Sequence, residues 1–173
     1  LRYVEGLAEI DPVSEFMAAS TFATIINNTI KQKYHNGTTI DEAFIDNLLK
    51  ETNSTIHDAI IANINHIFLH KPEGCLDELI GESMLKYDVI YEFIRRILNH
   101  DKDLIKEYGN INYIQGEKRL ECSLPLAGGK QFNLTFTIDR LDSITINGHA
   151  VYRVVDYKTG KDKLGTNNLT SLF

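Results

Sequence analysis

The sequence has little of several things that would narrow its function at once. It holds two cysteines, Cys75 and Cys122, far apart and in no CxxC spacing, which signals neither a disulfide framework nor a zinc or iron-sulfur cluster. Reduced thiols, and with them a cytoplasmic protein, are expected. No apolar run approaches the roughly 20 residues that span a bilayer, and the opening Leu1-Arg2-Tyr3-Val4-Glu5 lacks the charged-then-apolar order of a signal peptide. No membrane partner is expected. There is no G-x-x-x-x-G-K-[ST] phosphate loop, so a helicase motor would have to come from a partner, and there is no internal repeat or low-complexity segment. Positive charge is scarce too: 18 Lys and Arg stand against 24 Asp and Glu, a net charge of -6. That balance counts against a generic nucleic-acid coat protein.

What is present fits one ordinary domain. The chain has 173 residues, 43% of them hydrophobic, enough to bury a sizeable core without staples. It opens on Leu1 rather than Met, and a piece of a longer protein is expected. The charge is unevenly spread: residues 113–163 carry eight basic against six acidic side chains, and the rest carry ten against eighteen.

Apolar spacing divides the chain into a helical part, 1–112, a sheet part, 113–163, and a polar end, 164–173. Phe22, Ile25, Ile26, Thr29 and Ile30 recur at three and four residues, which predicts a helix over Ser20 to Tyr34, stopped by Gly37. Thr39-Ile40-Asp41-Glu42 has capping-box spacing and predicts a second helix from near Asp41, with Phe44, Ile45, Leu48 and Leu49 as its stripe. A third is predicted over Asn53 to Leu69, broken by Lys71-Pro72-Glu73-Gly74, and a fourth over Leu79 to Asn99. From Tyr113 the period changes to two. Arg119 to Leu124 and Phe132 to Ile138 predict a hairpin about Ala127-Gly128-Gly129-Lys130, and Ser143 to Ile146 turns at Asn147-Gly148 into Val151 to Asp156. The fold class expected is α+β: helices first, then a mixed, largely antiparallel sheet.

The chemistry is expected where the strands end. Asp139 is read as closing one strand and Asp156-Tyr157-Lys158 another, which brings two carboxylates and an ammonium to one end of the sheet. Magnesium takes oxygen ligands and keeps several waters, so two carboxylates and a backbone carbonyl suit it; a bound cation lowers the pKa of water and neutralises phosphate charge. Asp156 and Lys158 share a face because alternate strand residues point the same way. By itself a D-x-K string is weak, and is more often a solvated cross-strand pair.

The longer string Val154-Val155-Asp156-Tyr157-Lys158-Thr159-Gly160-Lys161 resembles the signature of the RecB-like and AddB-like branch of the PD-(D/E)XK nuclease superfamily. Phe136-Thr137-Ile138-Asp139-Arg140-Leu141-Asp142 is similar to that family's upstream G-x-I-D-R-x-D pattern. The resemblance spans residues 14–173 and is strongest at 134–161. It implies a restriction-endonuclease-like core in which Asp139, Asp156 and the Tyr157 carbonyl hold Mg2+ or Mn2+, and Lys158 orients the nucleophile or stabilises the transition state. It further implies a deoxyribonuclease, an exonuclease of DNA repair or recombination, whose partners are DNA and a helicase subunit or domain. Arg140, Thr159 and Lys161 are the expected DNA contacts, with Arg140 and Asp142 as supports of the site.

The sequence also departs from that pattern. Phe22-Ala23-Thr24-Ile25-Ile26-Asn27 aligns with a family F-G-x-x-x-H segment, so Asn27 stands where a ligand histidine is implied. Asn offers a carbonyl oxygen to magnesium but is a poorer donor to manganese than imidazole. Ala23 and Phe136 replace glycines, and Phe136 beside the metal strand is expected to narrow the backbone approach of the substrate. These departures leave open a nuclease-like domain that no longer cuts and serves as a DNA-binding or assembly module. An unrelated α+β binding domain with a coincidental D-Y-K-T-G is the third reading. His66 and His70 have an i, i+4 spacing without the H-E-x-x-H glutamate, and no zinc site is assigned to them.

Overall fold

The computed structural model describes residues 17–50, 54–125 and 131–157. The predicted hairpin turn 126–130, the end segment 158–173 and the start of the predicted third helix lie outside them. The architecture is α+β, with helices first and an antiparallel sheet after them.

Helix α1, Ala19–Lys33, buries Ile25, Ile26, Thr29 and Ile30, the predicted stripe, and ends where the buried Tyr34 returns its N–H to the Ile30 carbonyl at 2.7 Å. Helix α2, Glu42–Leu49, is capped by Asp41, whose carboxylate accepts the Phe44 N–H at 2.7 Å. Thr39 is not the cap: Thr39–Ile40 is a short strand, β1, and Asp41 supplies the acceptor two residues closer to the helix. Helix α3, Thr55–Asn63, runs into a π-helical turn, Ile64–Phe68. The wider turn breaks the i, i+4 register of His66 and His70. His66 Nδ1 instead meets the Lys71 carbonyl at 2.9 Å, and His70 lies beyond the helix at φ 54°.

Helix α4 is Glu82–Tyr108, 27 residues, or roughly 40 Å at 1.5 Å per residue. It starts later than predicted because Gly81 sits at φ 57°, and runs past Asn99 because Asp101 and Ile105 continue the buried row Ile90, Ile94, Leu98. The core gathers Ile25, Ile26, Ile30, Ile45, Ile60, Ile64, Ile90, Ile94 and Leu98 from the helices with Ile111, Tyr113 and Ile144 from the sheet.

The sheet order is β1-β2-β3-β4, every neighbour antiparallel, with β2 Ile111–Pro125, β3 Gln131–Ile146 and β4 His149–Val155. Asn147 and Gly148 both take positive φ, 51° and 79°, as a two-residue primed hairpin turn requires. β3 is one strand where the sequence predicts two. Asp139 to Asp142 do not interrupt it, because Ile138, Arg140, Asp142 and Ile144 alternate inward and the two charges are buried by pairing. The far halves of β2 and β3 pass beyond the helices, leaving Leu124, Phe132, Leu134 and Phe136 exposed.

Candidate functional site

Asp139 sits in the middle of β3, on the face opposite Arg140. Arg140 pairs with Val155 in the register of β3 and β4, so the next position sets Asp139 beside Asp156, just past the last residue of β4. Both acids therefore reach one place from adjacent strands. The Asp139 carboxylate accepts the Tyr157 backbone N–H at 2.8 Å on Oδ2 and Asn27 Nδ2 at 2.8 Å on Oδ1, and shares a hydrogen bond with the Asp156 carboxyl. α1 brings Asn27 there from 112 residues away in sequence.

The electrostatics of the pair follow from these contacts. Burial pushes the Asp139 carboxyl up, the Tyr157 N–H pulls it down, the hydrogen bond and charge of Asp156 push it up again, and Asn27 pulls it down. The outcome is a pKa above the ordinary aspartate value. The nearby Asp156 carboxyl disfavours ionisation of Asp139, and positive charge arriving at the pair would favour it. Among the described residues no lysine or arginine is within ion-pair distance of Asp139.

The donor set matches a hard divalent cation. Among the described residues its side-chain atoms are carboxylate and amide oxygens, with no sulfur or imidazole. Asn27 Oδ1 is buried and lacks a hydrogen-bond partner among the described residues, an acceptor in want of a positive group. No third His, Cys, Asp or Glu among the described residues joins the two acids, so further oxygens would come from Asn27, the Tyr157 carbonyl and water.

The opposite face of β3 holds a buried ionic network. Arg140 is 1% exposed; its Nη1 donates to Asp101 Oδ2 at 2.6 Å and to the Tyr157 hydroxyl at 3.3 Å, and its Nε lies 2.6 Å from Asp142 Oδ2. Arg153 grips Asp142 with two bonds, 2.7 and 2.8 Å. Tyr34 donates to Asp101 at 3.0 Å, and its ring lies 5.0 Å from the Arg140 guanidinium carbon. Burial opposes the Arg140 charge, and the Tyr157, Asp101 and Asp142 oxygens more than restore it, so its pKa is raised. Burial likewise pushes the Tyr157 hydroxyl up to about 12, with Arg140 pulling the other way.

This corrects one expectation directly. Arg140 is not a nucleic-acid contact: a guanidinium sealed between Asp101, Asp142 and two tyrosine rings has no surface to offer a phosphate. Arg140 and Asp142 support the site by tying β3, β4, α1 and α4 together. Phe136 stands three residues before Asp139 on the same strand, exposed and on the opposite face. Asp139, Asp156, Tyr157 and Asn27 come together; Lys158, Thr159 and Lys161 lie outside the described residues.

Sequence reading missed Asp101, Tyr34 and Arg153. Asp101 left a signal, an acid on the apolar stripe of α4 between Leu98 and Ile105, which betokens a buried partner. Tyr34 and Arg153 left none, because tyrosine and arginine sit equally well at a helix end or on a strand surface. Compared with family models, curated proteins and solved structures, the chain finds no match.

Proposed function

We propose that the chain is a metal-dependent deoxyribonuclease, an exonuclease module of DNA repair or recombination in the cytoplasm, with Asp139 and Asp156 as ligands of Mg2+ or Mn2+. The observation that carries this reading is the carboxyl pair itself: two acids from adjacent strands in mutual hydrogen-bond contact, one of them with a raised pKa. Ordinary structural carboxylates pair with cations, as Asp101 and Asp142 do on the other face. A bound cation would supply a water polarised for attack and neutralise charge on the phosphate.

The protein's own residues would prepare that step. The Tyr157 N–H and the Asn27 amide orient Asp139 from two sides. Arg153 on β4 grips its register partner Asp142 on β3, which would help hold the spacing of the two acids. Lys158, two residues beyond Asp156, would orient the nucleophile or stabilise the developing phosphate charge, the role that the resemblance implies. Asn27 would add its carbonyl oxygen to the cation, and a helicase partner would deliver the strand.

A second reading, a DNA-binding or assembly module that does not cut, is favoured by Asn27, whose Nδ2 already occupies one Asp139 oxygen. The test is cleavage of labelled single- and double-stranded DNA with Mg2+, Mn2+ or EDTA, beside Asp156→Ala and Lys158→Ala. Metal-dependent cutting lost in both variants supports the nuclease. DNA binding without cutting under either metal supports the second reading.

A further inference from the structure

The part of the β2–β3 hairpin that passes beyond the helices is a two-stranded ribbon with two unlike faces. Its register sets Leu120 beside Phe136, Cys122 beside Leu134 and Leu124 beside Phe132, and strand alternation puts all six on the face that carries Arg140 nearer the base. Arg119, Glu121, Ser123, Asn133, Thr135 and Thr137 take the other face. Between the Leu120 and Leu124 rungs the apolar face bears no charge.

Such a face calls for cover. A lone two-stranded hairpin is marginal in water, and sheets become stable by packing a hydrophobic face. Leu134 is 38% exposed and Phe132 51%, with Leu124 and Phe136 between them, whereas Ile138, next in the same row, is 4% exposed beneath the helices. The buried row thus continues into water for three more rungs.

We infer that this face packs against the same face of a second copy of the chain, in an isologous dimer. Being uncharged, it has nothing to attract a polynucleotide, a charged peptide or an anionic surface. Its side chains offer on the order of 500 Å2 per copy, or about 1,000 Å2 for a pair, the least that a specific interface needs. The bulky rungs, Leu120–Phe136 and Leu124–Phe132, lie symmetrically about the smaller Cys122–Leu134 rung, so the face matches its own reverse. Symmetry then fixes the arrangement. The helices stand at one end of the ribbon, so a twofold axis that kept the strands parallel would drive the two helical bodies together. The remaining axis reverses the strands, crosses the middle rung and sets Cys122 opposite the partner's Cys122. At a sheet spacing of about 10 Å their Cα atoms exceed the about 7 Å limit for a disulfide. The inference goes beyond the proposed nuclease and does not depend on it.

The experiment is sedimentation velocity of the whole chain at about 0.15 M salt, which screens the -6 charge of each copy. From about 1 to 500 μM chain, a monomer–dimer equilibrium is expected with a dissociation constant on the order of 10 μM, as suits a small interface. Phe132→Lys is expected to weaken it roughly tenfold or more. Thr135→Lys adds the same charge to the other face and is expected to leave it unchanged. An ethylene-bridged bismaleimide is expected to trap a dimer in the wild type and in Cys75→Ser but not in Cys122→Ser, which decides the matter should Phe132→Lys fail to fold. A chain still monomeric at the highest concentration, whose apolar face would then belong to another occupant, would overturn the inference. So would a dimer that survives Phe132→Lys, or a crosslink that persists in Cys122→Ser.

Discussion

Asp139 is half-buried and Asp101 buried, and the two are held in opposite ways. Asp139 faces another acid, so its pKa is higher in the folded chain than in the unfolded one. Its contribution to stability is therefore present below the ordinary aspartate value and is lost as pH rises through the raised one. Without a divalent cation the protein is expected to lose stability on leaving the acidic carboxylate range. Asp156→Asn, which removes the repulsion, is expected to flatten that loss and to raise Tm at neutral pH, read by thermal melts across pH in EDTA. An Asp156→Asn protein less stable than wild type at neutral pH would argue against the repulsive pair. Asp101 instead faces a guanidinium inside the protein. Removing one partner of a buried ion pair costs about 3–5 kcal/mol, and Asp101→Ala is expected to lower the urea midpoint accordingly. A cost below about 1 kcal/mol, the range of an exposed pair, would contradict the burial described.

Among the elements, the β2–β3 hairpin divides into a buried base and an exposed arm. At the base β2 bulges between Tyr113 and Gln115, and Gly116 comes to lie opposite Arg140 with no room for a side chain: a Cβ there would collide with the Tyr113 hydroxyl. Gly116→Ala is expected to cost about 1–3 kcal/mol through overpacking. In the arm, Phe136→Ser is expected to change stability by about 0.5 kcal/mol or less, since the ring is 46% exposed. Chemical denaturation of both variants checks the division, and equal costs would contradict it. The hairpin was legible from its period of two, and the helices from their period of three to four. The continuity of β3 was not, because periodicity counts Arg140 and Asp142 as polar, whereas pairing makes them interior residues. The π-helical turn was equally hidden, for an extra residue in one turn leaves no mark on composition. The start of α2 at Asp41 was legible, whereas the start of α4 at Gly81 depended on backbone geometry.

For the whole molecule, a net charge of -6 and a buried Arg140 leave little to attract a polyanion. Binding of DNA is expected to be weak in EDTA and to strengthen with Mg2+ or Mn2+, as fluorescence anisotropy at fixed ionic strength would report. Tight binding in EDTA would instead point to basic residues outside the carboxyl site. The candidate site was legible in the sequence as two acids, a neighbouring tyrosine and Asn27. Its support was not, because Asp101, Tyr34 and Arg153 lie on three elements that only the fold brings together. The proposed nuclease activity depends on whether the two acids hold a cation. The most direct measurement is a calorimetric titration of Mn2+ into the wild-type chain and into Asp156→Asn at neutral pH. One bound ion per chain is expected in the wild type, and no saturable binding in the variant. Equal binding by both proteins, or none by either, would contradict the proposal.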